Sequence, residues 1–281
     1  MQLVYLDNNV WNLLIDDAHA PLNQALLIDG YRRGHIQVVG SLAVQEEILG
    51  IAVRLPAKYK AVDRAYRRLT GPRTLLPLNE RHAAEVSAGG RLSETERYCR
   101  SARLRAVRAH LGRHDHLIDT ADAVYSAKEA DYERQVRSRD DVKLGLSNRS
   151  LKPSRDLNAW FEESDVVEWV RDLLVEGVAR GLITWNDRDS ITAERFPSAW
   201  LHVMYSMVRI KRAIADNRRI QPSDRHDVEH VAAGAYFDTL VTLDKEMVAS
   251  LSELPSLPFE VVDADTFALR LQSMRTVASS S

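Results

Sequence analysis

Apolar residues run unbroken from Leu3 to Leu6 and stop at an acid, Asp7. A short β-rich run of this kind predicts a strand over 2–6. Beyond it the period changes. Val10 to Ile15 has apolar residues at helical spacing, and Pro21 opens another helix that runs to about Tyr31 and is broken by Gly34. Ile36–Val39 predicts a second strand. Ser41 offers an N-cap to a helix over 42–49, which Gly50 ends. The first fifty residues therefore read β-α-α-β-α, the opening of a parallel α/β sheet.

The pattern then turns helical for a long stretch. Periodicity of 3.6 predicts helices over 57–69, 79–88, 93–111, 117–138, 163–180 and 197–215, with breakers at Gly71-Pro72, Gly89-Gly90, Lys152-Pro153 and Trp185-Asn-Asp. Residues 139–157 are polar and are expected to form a mobile loop. Strand signals return late. A helix over 224–235 leads into a strand at Thr239–Thr242, followed by Asp244. A helix over 245–251, a strand over 259–262 and a helix over 264–272 close the chain, and the serine-rich tail is expected to fray. The expected organisation is one α/β domain built from residues 1–52 and 219–281, interrupted by an all-α insertion over 53–218.

Composition adds bounds. A chain of 281 residues, 45% hydrophobic and 28% charged, has room for a real core in one large or two modest domains. The single cysteine, Cys99, excludes internal disulfides and a cysteine-built zinc site, and it fits a reducing cytoplasm. No apolar run approaches the roughly 20 residues of a membrane span, so no membrane partner is expected. Residues 1–10 do not read as a secretory signal. The net charge of −2 argues against a general nucleic-acid coat protein, but the charge is uneven. Residues 54–115 hold fifteen Lys/Arg against six Asp/Glu, enough to attract a polyanion. Arg64, Arg67 and Arg68 fall at i, i+3, i+4, and Arg97, Arg100 and Arg103 step by three. These read as phosphate-binding stripes or as solvated helix faces.

Four acids stand at places where strands end. Asp7 follows the first strand and Asp244 the third. Glu46 lies one turn into the helix after the second strand, and Asp227 lies in the first turn of the helix that leads into the third. Ligands of parallel α/β sheets gather at the carboxyl ends of strands. Carboxylates collected there repel one another unless a hard divalent cation joins them. Two positions stay open. Glu46 and Glu47 lie about 100° apart on a helix, and the spacing from Ser41 favours Glu46. Asp224 competes with Asp227, as a cap or a further ligand. Asp7 and Asp244 also suit the role of helix N-cap. His226 and His230, four residues apart, share a helix face but lack the third ligand of a His-Glu-x-x-His zinc motif. His230 is therefore expected beside the acids, at the core edge or as a phosphate contact.

Taken together these segments resemble the PIN-domain nucleases. The match consists of a strand followed by Asp7-Asn8-Asn9-Val10, a strand followed by Ser41 and Glu46, then Asp227 with Val231-Ala-Ala, Leu240-Val-Thr-Leu-Asp244 and a closing strand. It covers about residues 1–52 and 220–270. Asn8 stands where that family usually has Thr or Ser. The resemblance implies a three-layer α/β domain around a central parallel sheet. It also implies Mg²⁺ or Mn²⁺ held by Asp7, Glu46, Asp227 and Asp244, and hydrolysis of phosphodiester bonds to leave a 5′-phosphate. RNA is favoured over DNA as substrate, with Asn9, Thr242, His230, Arg64, Arg67, Arg68 and Arg100 as nucleic-acid contacts. A role as a toxin, in defence or in RNA processing fits the same resemblance, as do a homodimer and an inhibitory or regulatory protein partner. Two alternatives stand beside it. One is a non-catalytic PIN-like module that binds RNA or protein. The other is a metal-independent ribonuclease similar to the HEPN family, carried by Arg105-Ala-Val-Arg-Ala-His110. No phosphate-binding glycine loop, nucleophile elbow or dinucleotide fingerprint occurs.

Overall fold

The computed structural model describes residues 1–17, 19–52, 55–100, 161–177, 190–215 and 224–278, together with helical residues at 133, 136, 137 and 139–141. Four strands, β1 (Gln2–Leu6), β2 (Ile36–Val39), β3 (Thr239–Val241) and β4 (Glu260–Val262), form one sheet in the order β2-β1-β3-β4. Every pairing is parallel. Tyr5 is in register with Val39 on one side and Leu240 on the other, so β1 is the central seam between the two ends of the chain. The unbroken apolar runs follow from this position. Val4–Leu6, all of β2 and all of β3 are buried, as strands of a covered parallel sheet must be.

The helices are α1 (Asn8–Asp16), α2 (Gln24–Arg32), α3 (Leu42–Ala52), α4 (Pro56–Thr70), α5 (Leu78–Ser87), α6 (Glu163–Gly177), α7 (Pro197–Ala215), α8 (Asp224–Ala233), α9 (Lys245–Leu251) and α10 (Ala264–Ala278). α4 packs on α1, α3 and β2, α2 packs on α10, and α7 packs on α8 and α6. The arrangement is α/β and compatible with three layers. Helices of the middle stretch share the sheet's own core: Val62, Tyr66, Val170, Tyr205 and Val208 belong to the same buried cluster as Val4, Val38 and Leu240. Among the described residues, no helix is long and apolar enough to cross a membrane.

Three expectations are corrected. Residues 93–100 do not begin a helix. Leu76 N donates to Arg97 O at 2.9 Å and Cys99 N to Thr74 O at 2.8 Å, so backbone groups a helix would need are committed to the 74–76 segment. Ser93 meanwhile closes a local turn with Glu96, Ser93 Oγ donating to its carboxylate at 2.6 Å. Residues 139–141 are helical rather than loop. The helix before β3 stops at Ala233 and gives way to a 3₁₀ turn, Gly234–Tyr236. There the Phe259 ring sits so close to Gly234 that any side chain would overlap it. The rest of the expected loop, residues 101–111 of the expected 93–111 helix, most of the 117–138 helix, and Arg105 with His110 lie outside the described residues.

Candidate metal centre

Asp7 is the first residue past β1. Its extended backbone (φ −66°, ψ 159°) ends the strand and caps α1, with Oδ1 accepting from Asn8 N at 2.7 Å. Oδ2 accepts from Thr242 Oγ1 at 2.9 Å. Thr242 itself lies one residue past β3, and Thr242 N donates to Val262 O at 3.1 Å, so sheet-like pairing holds it in place. Asp7 is 3% exposed.

Glu47 comes from α3. Ser41 starts that helix, its Oγ accepting from Val44 N at 3.2 Å. Gly40 makes this corner possible: Tyr66 OH donates to Ser41 O at 2.9 Å and occupies the space a Cβ on Gly40 would need. Ala43, Val44 and Ile48 are buried, so Glu47 lies on the inward side of the helix.

His230 comes from α8 and is 1% exposed. Its Nε2 lies 3.0 Å from Glu47 Oε2 and 3.7 Å from Asp7 Oδ1. Its Nδ1 is 2.6 Å from Tyr5 OH, which is in turn 2.6 Å from Ser41 Oγ. One turn earlier, His226 Nδ1 is 3.4 Å from Glu47 Oε1. Among the described residues, Asp7, Glu47 and His230 form the group of three metal-ligating side chains whose donor atoms all lie within 4.8 Å of one another. A carboxylate pair plus an imidazole, brought from three elements to the carboxyl end of the sheet, is a donor set that suits a divalent ion.

The electrostatics belong to the group rather than to any member. Burial pushes the Asp7 carboxyl up; His230 pulls it down, Glu47 pushes it up, and the hydrogen bonds from Thr242 and Asn8 lower it, leaving it raised. Burial pushes the His230 imidazole down, but the charge and hydrogen bond of Glu47, with the charges of Asp7 and Asp227, outweigh it and raise the group to about 9. Burial keeps the Tyr5 phenol neutral, its pKa well above the ordinary value. A protonated His230 between two carboxylates is the charge arrangement a divalent cation would replace.

The sequence-predicted residues divide. Asp7 lies in the group, Thr242 holds it, and His230 sits at its centre rather than at its edge. Glu47, not Glu46, joins them: Glu46 is 35% exposed and its Oε2 stands 3.8 Å from His226 Nε2. Asp227 is not in the group either, and its Oδ2 lies 3.6 Å from Arg209 of α7. Asp244 is outside the group and caps α9, Oδ1 accepting from Glu246 N at 2.8 Å and Met247 N at 3.0 Å, while its N donates to Thr242 Oγ1 at 3.0 Å. Asn9 is exposed beside Asp7. Arg64, Arg68 and Arg100 are exposed, whereas Arg67 is paired with Asp63 in its own helix at 2.7 Å. The sequence left Glu46 and Glu47 open and its spacing from Ser41 favoured Glu46, whereas the buried stripe Ala43, Val44, Ile48 marks the face of Glu47. Sequence reasoning missed Tyr5 and Ser41 as supports for His230. No protein-family model, curated protein or solved structure matches the chain.

Proposed function

We propose that this chain is a metal-dependent phosphodiesterase of PIN-like kind, acting as an endoribonuclease. One observation carries the reading: donors of Asp7, Glu47 and His230, from three separate segments, lie within 4.8 Å of one another at the carboxyl end of a parallel sheet. The resemblance of the sequence segments to PIN nucleases supports the same reading. The ion is Mg²⁺ or Mn²⁺, and when bound it supplies charge stabilisation for the phosphoryl oxygens and a lowered pKa for the attacking water. Asp7, Glu47 and His230 hold it. Thr242 and the Asn8 backbone amide fix the Asp7 carboxylate, and the Tyr5–Ser41 pair fixes the His230 ring, so little reorganisation is required of the site. Exposed Arg64 and Arg68, on a helix packed against α1 and α3, are the nucleic-acid contacts of this reading.

The test is cleavage of a mixed single-stranded and hairpin RNA pool with Mn²⁺, with Mg²⁺ and with EDTA. Wild-type protein should cut only with metal, and Asp7→Asn and Glu47→Gln should each lose about 100-fold or more in rate. Equal cleavage in EDTA would overturn the reading and favour the HEPN-like alternative.

A second reading draws on another observation. His230 is hydrogen-bonded through both ring nitrogens, and Asp7 through both carboxylate oxygens. A polar lock that closes on itself without metal would serve a non-catalytic PIN-like module binding RNA or protein. Calorimetry with Mn²⁺ separates the two, because such a lock needs no ion.

A further inference from the structure

We infer that His230 makes this centre a mixed imidazole–carboxylate site that takes Mn²⁺ or a later first-row divalent ion in preference to Mg²⁺; the inference rests on the metal-dependent reading above. Three observations support it. His230 Nε2 lies 3.0 Å from Glu47 Oε2 and 3.7 Å from Asp7 Oδ1, so an ion bridging those two oxygens would have the imidazole nitrogen within coordination reach. The other ring nitrogen is already committed: Nδ1 is 2.6 Å from Tyr5 OH, which leans on Ser41 Oγ at 2.6 Å. With Nδ1–H kept on Tyr5 and Tyr5 donating to Ser41, loss of the Nε2 proton to solvent on metal binding would leave the Nε2 lone pair for the ion. Outer hydrogen bonds of this type orient a ligating histidine and set its tautomer. Finally, His226 brings a second buried imidazole to the far oxygen of Glu47, at 3.4 Å, so nitrogen surrounds this acid on both sides.

The chemistry of the ions decides the preference. Mg²⁺ demands oxygen ligands in near-ideal octahedral geometry and parts reluctantly with its water. Imidazole nitrogen is a better donor to first-row transition ions, and affinity rises along that row from Mn²⁺. An all-carboxylate site would accept Mg²⁺ readily, whereas replacing one oxygen donor by a rigidly held nitrogen penalises Mg²⁺ far more than Mn²⁺. Asp227, whose Oδ2 lies 3.6 Å from Arg209, is not in the group, which holds two carboxylates and one imidazole.

The experiment uses the full chain with Mn²⁺ as the probe. Pulsed EPR of the Mn²⁺-loaded protein should show coupling to a directly bound ¹⁴N nucleus, and about tenfold more Mg²⁺ than Mn²⁺ should fail to displace the ion. In His230→Gln, shown folded by circular dichroism, the ¹⁴N coupling should vanish and the preference for Mn²⁺ over Mg²⁺ should shrink by about tenfold. If that variant does not fold, the wild-type spectrum and the competition decide alone. Bound Mn²⁺ without nitrogen coupling, coupling that persists in folded His230→Gln, or displacement by equimolar Mg²⁺ would overturn this inference and leave the metal-dependent reading standing. Failure to bind either ion would overturn both.

Discussion

Thr242 Oγ1 donates to Asp7 Oδ2 across 2.9 Å and accepts from Asp244 N at 3.0 Å, tying residues 235 positions apart in sequence into one corner. The hydroxyl therefore serves the acid at the end of β1 and the turn after β3 at once. Thr242→Val keeps the shape and removes both bonds. It should destabilise the protein by roughly 1–3 kcal/mol, the cost of leaving buried polar groups without a partner. Urea denaturation at pH 7 measures this. A variant as stable as wild type would mean that Asp7 does not depend on the contact.

A second buried network anchors the helical side. Glu85 accepts from Ser198 N at 2.9 Å, from Ala199 N at 3.4 Å and from Tyr236 OH at 2.6 Å, so one carboxylate caps α7 from outside that helix. Arg81, 1% exposed, lies beside it and is supported by its charge. Glu85→Ala should cost about 3–5 kcal/mol, because it strands a buried cation and uncaps α7 together. Equilibrium denaturation checks the size, and a loss below about 1 kcal/mol would contradict the account.

Acid should weaken the fold through two buried histidines. Burial lowers His82 well below its ordinary range, helped by His202 and Arg81, and burial with Arg81 lowers His202 to about 4. Their rings lie 5.4 Å apart. Both are neutral when folded and protonate when unfolded below about pH 6.5. The unfolded state thus binds more protons, and stability should fall as pH drops from about 6.5 toward 4, by up to about 1.4 kcal/mol per unit for each histidine. Denaturation at a series of pH values tests it, and a flat profile between 7 and 5 would refute it.

The metal-free centre should respond on the other side of neutrality. His230 is raised to about 9, so its charged form stabilises the fold in full below about 6.5 and that contribution is lost as pH rises through about 9. Thermal unfolding of EDTA-treated protein should show stability declining between pH 7 and 9.5. The decline should be absent in His230→Gln. A profile unchanged by that substitution would show that some other group is responsible.

Much of this framework was legible in the residues, and what was not has physical causes. The run Leu3–Leu6, the periodicity of 197–215 and the Asp244 cap before 245–251 are local signals, and the elements form where those signals lie. Residues 93–100 carry a helical pattern but pair with 74–76, a tertiary choice that local spacing does not contain. At the site, spacing from Ser41 pointed to Glu46, whereas burial of Ala43, Val44 and Ile48 sets the inward face at Glu47. His230 was visible as half of an i, i+4 pair, but its central place depends on Tyr5, which meets it only once β1 and α8 are packed.

The most direct test of the metal centre is anomalous diffraction from crystals soaked in Mn²⁺. The account predicts one peak about 2.0–2.3 Å from an Asp7 oxygen, a Glu47 oxygen and His230 Nε2. No peak, or a peak bounded by Asp227 or Asp244 and remote from Glu47, would contradict it.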